Sequence, residues 1–482
     1  MATQLLLSFP PPTELPDAEY DQKIRVLCAG IKKLSPSALV GHSTAEQGNH
    51  LDILDPAKHS LAYLQVLLAY YQISQKPGKL TIPDTFQPGG EAWGRALEFF
   101  EVFDPIQIRY AGRDFTRLVE TIARIAESVS RPLLAVQPLK SALLRLDPSC
   151  STLTTTHTLF VRTCLKAKAC RAALPVLEKT VCHIPASADK IYHQRAQIYP
   201  CDKDQSSVTY ITDSSGLAGS LTYRTYLEYY LYGAMIYMVR KEWENALRFL
   251  HLVIVAPATN SVSKIMVEAY KKWIISSSMP RGTPQYAIKA YKNLARPYEV
   301  LAEIFRDGTL QRLEAEISIG AGVWDEDNNS GLVRQLPDAY RQFSILKLEK
   351  VFAALSIPDM ASRVSSESTS TAELEEFVAT LIAKGQLDAR LVQASDPSGA
   401  SVLRFGRTNK AMDPYLEARL WEDLVKEKIR IKSMIKNVAR ADLKLELGGD
   451  YIEGLGKSQR RAEQVAHSRT SAFDEDIMGV SR

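Results

Sequence analysis

The segment at residues 340–405 places the tightest constraint on how this chain of 482 residues can fold. An apolar helical pattern at its start is followed by the sequence LSIPDMASRV, which begins at Leu355. Ser356 can cap a short helix, and Pro358 suits the first turn because the N–H that proline lacks would have no partner there. The pattern therefore predicts a long helix followed by a short, capped one.

A third helix is predicted directly after these two. Ser370 and Glu373 form a capping box at its start, and Gly385 supplies the left-handed residue that commonly ends a helix. Its apolar side chains recur at the helical spacing i, i+3, i+4, i+7, i+8. They are Leu374, Phe377, Val378, Leu381 and Ile382. One face of this helix is therefore predicted to be buried.

Two strands are predicted next, on either side of a turn at residues 396–399. Their apolar residues are Leu387, Ala389, Leu391, Val402, Leu403 and Phe405. The order helix, short helix, helix and two strands is that of a winged helix, which we assign to residues 340–406. We expect its strands to leave a free sheet edge, which is a template for pairing with a neighbouring protein.

Helical patterns fill most of the chain before the winged helix. Residues 1–183 are predicted to form an array of helices, and residues 223–339 to form further helical repeats. In the second set, Gly233 lets two helices approach and Pro257 ends the pair, which resembles a tetratricopeptide unit. Residues 184–222, rich in turn-forming residues, are expected to form a long, partly disordered loop. The predicted fold class is mostly α, a tetratricopeptide-like solenoid that ends in a winged helix.

One long helix is predicted at residues 415–447, after the winged helix. An apolar stripe follows one of its faces: Leu416, Leu420, Leu424, Ile431, Ile435 and Val438. Since such a stripe gains free energy when it is covered, we expect it to pack against helices of partner subunits. The alternatives are a solvated flap and packing onto the chain's own solenoid. Residues 448–482 are expected to be a disordered tail.

Composition and motifs give no indication of catalysis. The formal charge of +4 is small for this length and makes no case for a nucleic-acid or membrane partner. Cys182, His183, His193 and Cys201 lie near one another in sequence, but without the short paired gaps of a structural zinc site. No HExxH or GxSxG motif occurs. We therefore expect no enzyme activity, no cofactor and no metal.

Cysteine usage and the N-terminal sequence indicate an intracellular protein. Six irregularly spaced cysteines without a CxxC pair are typical of reduced thiols. The start MATQLLLSFPPP lacks the basic region and the apolar length of a signal peptide. No stretch approaches the roughly 18 apolar residues of a membrane helix. A soluble protein of the cytoplasm and nucleus is expected.

A winged helix can bind DNA, so the charge of its elements matters. The helix that would enter a groove carries Glu373, Glu375 and Glu376, which would meet phosphates with like charge. The wing region is more basic, and its cations are Arg390, Arg404, Arg407 and Lys410. An edge that contacts protein is the preferred interpretation, and contact of the wing with a DNA minor groove or with RNA is the alternative.

Four segments resemble one family of PCI-domain proteins. They are YLEYYLYGAMIYMVRKEWENALRFLHLVIVAPA from Tyr226, VSKIMVEAYKKWII from Val262, DEDNNSGLVRQ from Asp325 and LSIPDMASRV from Leu355. Together they resemble the third-subunit family of the COP nine signalosome, most clearly over residues 223–405. The PCI module of this family, helical repeats capped by a winged helix, also occurs in the proteasome lid and in a translation initiation factor complex.

The resemblance implies a non-catalytic scaffold subunit of a hetero-oligomer. PCI subunits associate edge to edge through their winged helices, and their C-terminal helices gather into a common bundle. The complex removes a ubiquitin-like modifier from the cullin subunits of ubiquitin ligases, and the family assigns that reaction to a zinc metalloprotease in a different subunit. The neighbours implied for this chain are the first and eighth subunits.

Two other interpretations stay open at this point. The equivalent PCI subunit of the proteasome regulatory lid is expected to share a sequence like LSIPDMASRV, whereas DEDNNSGLVRQ favours the signalosome. A nucleic-acid-binding PCI protein of the messenger-export type is the second alternative.

Overall fold

The computed structural model describes residues 2–11, 15–41, 49–75, 82–185, 199–202, 205–257, 262–281, 291, 294–364, 370–392, 401–406 and 414–446, with positions 453, 456, 457 and 460. The chain divides into two compact units, residues 1–352 with 356–378 and residues 353–355 with 379–482. Helices predominate among the described residues, as the sequence predicted.

The first unit begins with an array of helices. They are α1 Ala2–Leu7, α2 Asp17–Lys32, α3 Pro36–Val40, α4 His50–Ile53, α5 Ser60–Ser74, α6 Glu91–Val102, α7 Pro105–Ile108, α8 Gly112–Ser128, α9 Leu133–Leu146, α10 Thr155–Lys166 and α11 Cys170–Leu177, with a 3-10 turn at Asp84–Phe86. The predicted array of helices is confirmed.

The N-terminal core is built around α5. Leu61, Leu64, Val66 and Leu67 are almost fully buried there, because α3, α6 and α8 all contact this helix. A helix that is apolar around most of its circumference needs such cover on more than one side. α5 is therefore packed on more than one side.

Residues 205–222 pack into the first unit, although the sequence suggested a loop. They include α12 Ser207–Tyr210. The Tyr210 hydroxyl donates to the carbonyl oxygen of Leu146 at 2.9 Å, and Ile211 is 1% exposed. Turn-forming residues predicted the irregular backbone correctly, but a few apolar side chains were enough to bury it.

Arg109 ties the preceding part of the same segment to the array. Its guanidinium lies 3.8 Å from the centre of the Tyr210 ring, and Nη1 donates to the carbonyl oxygens of Pro200 at 2.7 Å and Asp202 at 2.8 Å. Irregular backbone can be buried when its carbonyls find donors in this way. Most of the described part is irregular backbone held against the array, and partial disorder stays a prediction because residues 186–198 and 203–204 lie outside the described residues.

The first unit continues towards the winged-helix segment. Its remaining elements are α13 Tyr223–Val239, α14 Trp243–Ile254, α15 Lys264–Arg281, α16 Arg296–Asp307, α17 Leu310–Ile319, α18 Ala321–Glu326, α19 Ser330–Val333, α20 Leu336–Glu349, α21 Ile357–Val364 and most of α22 Thr371–Ala383.

Gly233 explains how closely α13 and α14 pack. A Cβ atom at this position would lie 2.8 Å from ring carbons of Phe249 and 3.1 Å from a methyl carbon of Leu177. These distances are shorter than carbon–carbon van der Waals contact. The close helix pair predicted here is therefore confirmed, and it depends on the absence of a side chain.

A polar network joins α15, α16 and the turn between α18 and α19. Asp327 accepts from Lys271 Nζ, at 2.7 Å to each carboxylate oxygen, and from the Tyr298 hydroxyl at 2.8 Å. Asn329 donates to the Tyr298 hydroxyl at 2.9 Å and accepts from Lys272 Nζ at 2.5 Å. Burial raises the pKa of Tyr298, so the hydroxyl stays neutral and keeps its proton for donation. The network gives the sequence DEDNN a structural role in holding α15 and α16 to the turn between α18 and α19.

The helices of the winged-helix segment begin and end at the predicted caps. Ser356 Oγ accepts from the N–H of Asp359 at 3.2 Å. Ser370 Oγ accepts from the N–H of Glu373 at 3.2 Å, and the Glu373 carboxylate accepts from the N–H of Ser370 at 3.3 Å. Gly385 has a φ of +68°. These local predictions are confirmed.

The second unit contains a three-stranded sheet, in which β1 is Ala354–Ser356, β2 is Ala389–Val392 and β3 is Val402–Phe405. The strand order is β1–β3–β2. β2 and β3 are antiparallel, with Leu391 opposite Leu403. The hairpin prediction is confirmed, while its turn at residues 396–399 lies outside the described residues.

β1 corrects the prediction of the free sheet edge. The N–H of Phe405 donates to the carbonyl oxygen of Ala353 at 2.9 Å, and β3 therefore lies between two strands. Val402, Leu403 and Phe405 cannot supply a free edge, because their strand is paired on both sides. The sequence missed β1 because three residues are too few to show alternation, and their extended conformation depends on pairing with β3.

One long helix, α23 Pro414–Glu446, belongs to the second unit. Its 33 residues span roughly 50 Å at the helical rise of about 1.5 Å per residue. The predicted helix is confirmed. The predicted tail at residues 448–482 lies outside the described residues, apart from four positions between 453 and 460.

Candidate subunit-contact surfaces

The predicted edge residues are less available to a partner than the sequence suggested. The buried ones are Leu387, Ala389 and Leu403, and the half-buried ones are Leu391, Val402 and Phe405. The buried side chains stabilise the unit and cannot contact another chain. Among the described strands, β2 pairs with β3 alone, so the backbone groups along the outer side of β2 form a candidate contact edge.

Two arginines stand side by side on an exposed face of the same sheet. Arg390 lies directly opposite Arg404 in the strand register, and both side chains are exposed. No ion pair among the described residues involves either of them, so their like charges repel across the strands. The other predicted wing cations, Arg407 and Lys410, lie outside the described residues.

α22 presents carboxylates to solvent. Glu373 and Glu376 are exposed and Glu375 is half-buried, while Leu374 and Val378 face inwards. The helix that would enter a DNA groove therefore carries negative charge on its open face, which opposes phosphate binding.

The apolar stripe of α23 is exposed wherever the structure describes its side chains. The exposed fractions are 45% for Leu420, 64% for Leu424, 54% for Ile431, 62% for Ile435 and 58% for Val438. The side chain of Leu416 lies outside the described part of the chain. Large apolar side chains left in water at this density make the stripe a candidate contact surface.

Sequence reasoning missed four further members of this surface. Trp421, Val425, Ile429 and Met434 are 68%, 40%, 63% and 52% exposed. Trp421 and Val425 each follow a stripe residue directly, and Met434 lies three positions after Ile431. Neighbours of this kind widen an apolar face, so a search beyond the single stripe would have found them.

Other classes of site are not supported by the described residues. No group of three or more His, Cys, Asp and Glu side chains in the described ranges is placed to hold a metal ion. Cys182 is exposed and Cys201 is buried, while His193 lies outside the description. Among the helices that the structure covers, none is long and apolar enough to cross a membrane.

Helical repeats followed by the element order of a winged helix define the class of PCI-domain proteins, and residues 321–396 match the PCI domain. Residues 21–292 match the N-terminal helical repeats of COP9 signalosome complex subunit 3. The chain therefore belongs to the COP9 signalosome complex subunit 3 family.

Curated relatives agree along nearly the whole chain. The COP9 signalosome complex subunit 3 of Emericella nidulans is 36% identical over 483 residues, which cover 97% of this chain and 96% of that protein. The protein of the same name from Neurospora crassa is 26% identical over 94% of this chain and 91% of its own length. The one from Arabidopsis thaliana is 27% identical over 85% of this chain and 85% of its own length.

Proposed function

We propose that this chain is a non-catalytic scaffold subunit of the COP9 signalosome, a hetero-oligomer that removes a ubiquitin-like modifier from the cullin subunits of ubiquitin ligases. The catalytic metalloprotease belongs to a different subunit, and the neighbours of this chain are the first and eighth subunits. The complex works in the cytoplasm and the nucleus. Family membership supports the assignment, and the exposed stripe of α23 is the observation that carries the scaffold role.

Energetics favour α23 as an assembly element. Its five described stripe residues are each about half exposed. Complete burial of a large aliphatic side chain contributes about 1.5–3 kcal/mol. Covering the remaining half on each of the five side chains would contribute roughly 5 kcal/mol. Packing against helices of other subunits supplies that cover.

The outer side of β2 is a second assembly surface in this proposal. Strand addition to an exposed edge uses backbone hydrogen bonds for affinity. The half-buried side chain of Leu391 can contact the added strand, while buried Ala389 keeps the strand anchored in its own unit.

The test is assembly with the other subunits. We expect a tagged full-length chain to recover them in stoichiometric amounts. The triple variant Leu424→Ser, Ile431→Ser and Ile435→Ser should lose most of that recovery while the circular dichroism of the chain stays unchanged. A matched control places serine at Val26, Val239 and Ile319, which are 65%, 67% and 79% exposed outside α23.

Equal recovery of the complex by both triple variants would contradict the role of α23. Recovery of proteasome particles in place of signalosome subunits would support the lid alternative. For localisation, we expect a fluorescent fusion at native expression level to appear in the cytoplasm and the nucleus. Exclusion of the fusion from the nucleus would refute the proposed localisation.

Contact of the wing with nucleic acid is a second candidate function, favoured by the facing pair Arg390 and Arg404. The carboxylates on α22 oppose it. Binding of the full-length chain to RNA or duplex DNA that falls steeply with salt, and disappears in the variant Arg390→Glu and Arg404→Glu, would establish it.

A further inference from the structure

Charge is distributed unevenly along α23. Residues 414–425 carry three acidic residues and one arginine, whereas residues 426–444 carry seven lysine or arginine residues and two acidic ones. The apolar stripe runs through both halves. A partner that covers the whole stripe therefore meets two different electrostatic environments.

Three lysines form a ladder on the basic half. Lys428, Lys432 and Lys436 follow one another at intervals of four residues, so they lie on the same side of the helix, about 6 Å apart along its axis. All three side chains are exposed, and no ion pair between described residues involves them. Like charges at this spacing destabilise a helix by about 0.2–0.5 kcal/mol per pair. The ladder is therefore unfavourable in the isolated chain.

Neighbouring cations on the helix do not share this property. Lys426 lies 3.3 Å from the carboxylate of Asp423, and Arg430 lies 3.4 Å from that of Glu427. Among the cations of the basic half whose side chains are described, those without an ion pair are therefore the three ladder lysines.

The ladder borders the apolar stripe. Lys428 falls four positions after Leu424 and three before Ile431, and Lys432 directly follows Ile431. Continued by four positions towards the N-terminus of α23, the line of the ladder reaches Leu424, which belongs to the stripe. A ligand on this surface must offer apolar contacts along the stripe and negative charge along one margin.

We infer that the basic half of α23 docks an acidic amphipathic helix of a neighbouring subunit, with carboxylates of that helix facing Lys428, Lys432 and Lys436. This inference rests on the proposed function and adds the chemistry of the partner. A helix repeats its side chains at the same spacing as the ladder, and its apolar face covers Ile431 and Ile435. Opposed charge then replaces lysine–lysine repulsion with attraction.

Two other anionic ligands fit the surface less well. A nucleic acid would neutralise the ladder through its phosphates but would leave the apolar stripe in water. An anionic membrane would cover the stripe, but Glu427 lies on the stripe between Leu424 and Ile431 and would be drawn towards the acyl chains.

The experiment uses the complex assembled from co-expressed subunits with the full-length chain. Carbodiimide treatment joins a lysine amine to a carboxylate that it contacts directly. We expect mass spectrometry to find Lys428, Lys432 or Lys436 joined to Asp or Glu in a helical segment of another subunit.

Charge-reversing and charge-retaining variants supply the second measurement. The variant Lys428→Glu, Lys432→Glu and Lys436→Glu should bind the other subunits at least about tenfold more weakly, since like charges across an interface cost several kcal/mol. Arginine at the same three positions should bind nearly as wild type. Reversing the joined acidic residues of the partner to lysine should restore assembly with the glutamate variant.

Several outcomes would overturn the inference. One is normal assembly of the glutamate variant together with failed assembly of the serine variant of the stripe. This result would contradict the inference about the ladder but leave the proposed function standing. Another is coupling of the ladder lysines only within the chain. The third outcome combines two observations. The full-length chain would bind RNA, or vesicles of equal parts phosphatidylcholine and phosphatidylserine, through the three lysines, while the glutamate variant assembled normally with the other subunits. This result would assign the ladder to another ligand.

Discussion

Acid stability of the N-terminal array can be derived from one buried histidine. His157 is 1% exposed, and its Nδ1 accepts from the backbone N–H of Thr154 at 3.2 Å and lies 2.8 Å from Thr154 Oγ1. Since Nδ1 accepts from the backbone, the neutral ring carries its hydrogen on Nε2. That atom has no hydrogen-bond partner among the described residues. The negative charge of Asp147 is the electrostatic contribution that favours a charged ring.

The magnitude follows from the shift in pKa. Burial lowers the pKa of His157 from 6.5 to about 4, although the charge of Asp147 opposes the shift. Between these two values the unfolded chain binds a proton that the folded chain does not. The contribution to stability is therefore complete above pH 6.5 and is lost as the pH falls to 4. At about 1.36 kcal/mol per unit, the loss is about 3 kcal/mol.

A conservative variant isolates this effect from other acid-sensitive groups. His157→Gln retains an acceptor for the N–H of Thr154, because glutamine is a standard third residue of a capping box, and it does not titrate. We expect the wild-type chain to lose about 3 kcal/mol relative to this variant between neutral pH and pH 4. Urea unfolding of the full-length chain, followed by hydrogen exchange of peptides from Thr155–Lys166, measures the difference. Parallel stability curves for the two chains would refute the reasoning.

Two further substitutions test the packing of the first unit by thermal unfolding. Gly233→Ala should lower the free energy of unfolding by about 1–3 kcal/mol, because the new Cβ would lie 2.8 Å from the Phe249 ring. The control Gly322→Ala, whose Cβ would meet nothing within 4 Å, should have no such cost. Equal effects of the two variants would contradict the close-packing argument. Asp327→Ala should lower the free energy of unfolding by about 2–4 kcal/mol, because it leaves the amine of Lys271 and the hydroxyl of Tyr298 without their acceptor. The control Asp338→Ala, at an exposed position, should change it by less than about 0.5 kcal/mol. A comparable loss in the control would show that the polar network contributes no more than a surface carboxylate.

The sequence predicted the protein family correctly, but it predicted the contact sites only in part. The family resemblance, which rested on segments such as DEDNNSGLVRQ, is confirmed by the family matches. The apolar stripe of α23 could be predicted from its helical period. The free sheet edge was assigned partly to the wrong strand, because the sequence shows which residues are extended but not which strands are neighbours.

Local chemistry by itself determined where most helices begin and end. The caps at Ser356 and Ser370 and the left-handed Gly385 act within four residues along the chain, so their effect can be predicted from sequence. Tertiary structure alone decided the contacts between distant residues: Lys271 reaches Asp327 across 56 positions, and Tyr210 reaches Leu146 across 64. The pairing that makes β1 a strand is of the same kind. These interactions depend on where the chain returns in space, and no local pattern encodes that position.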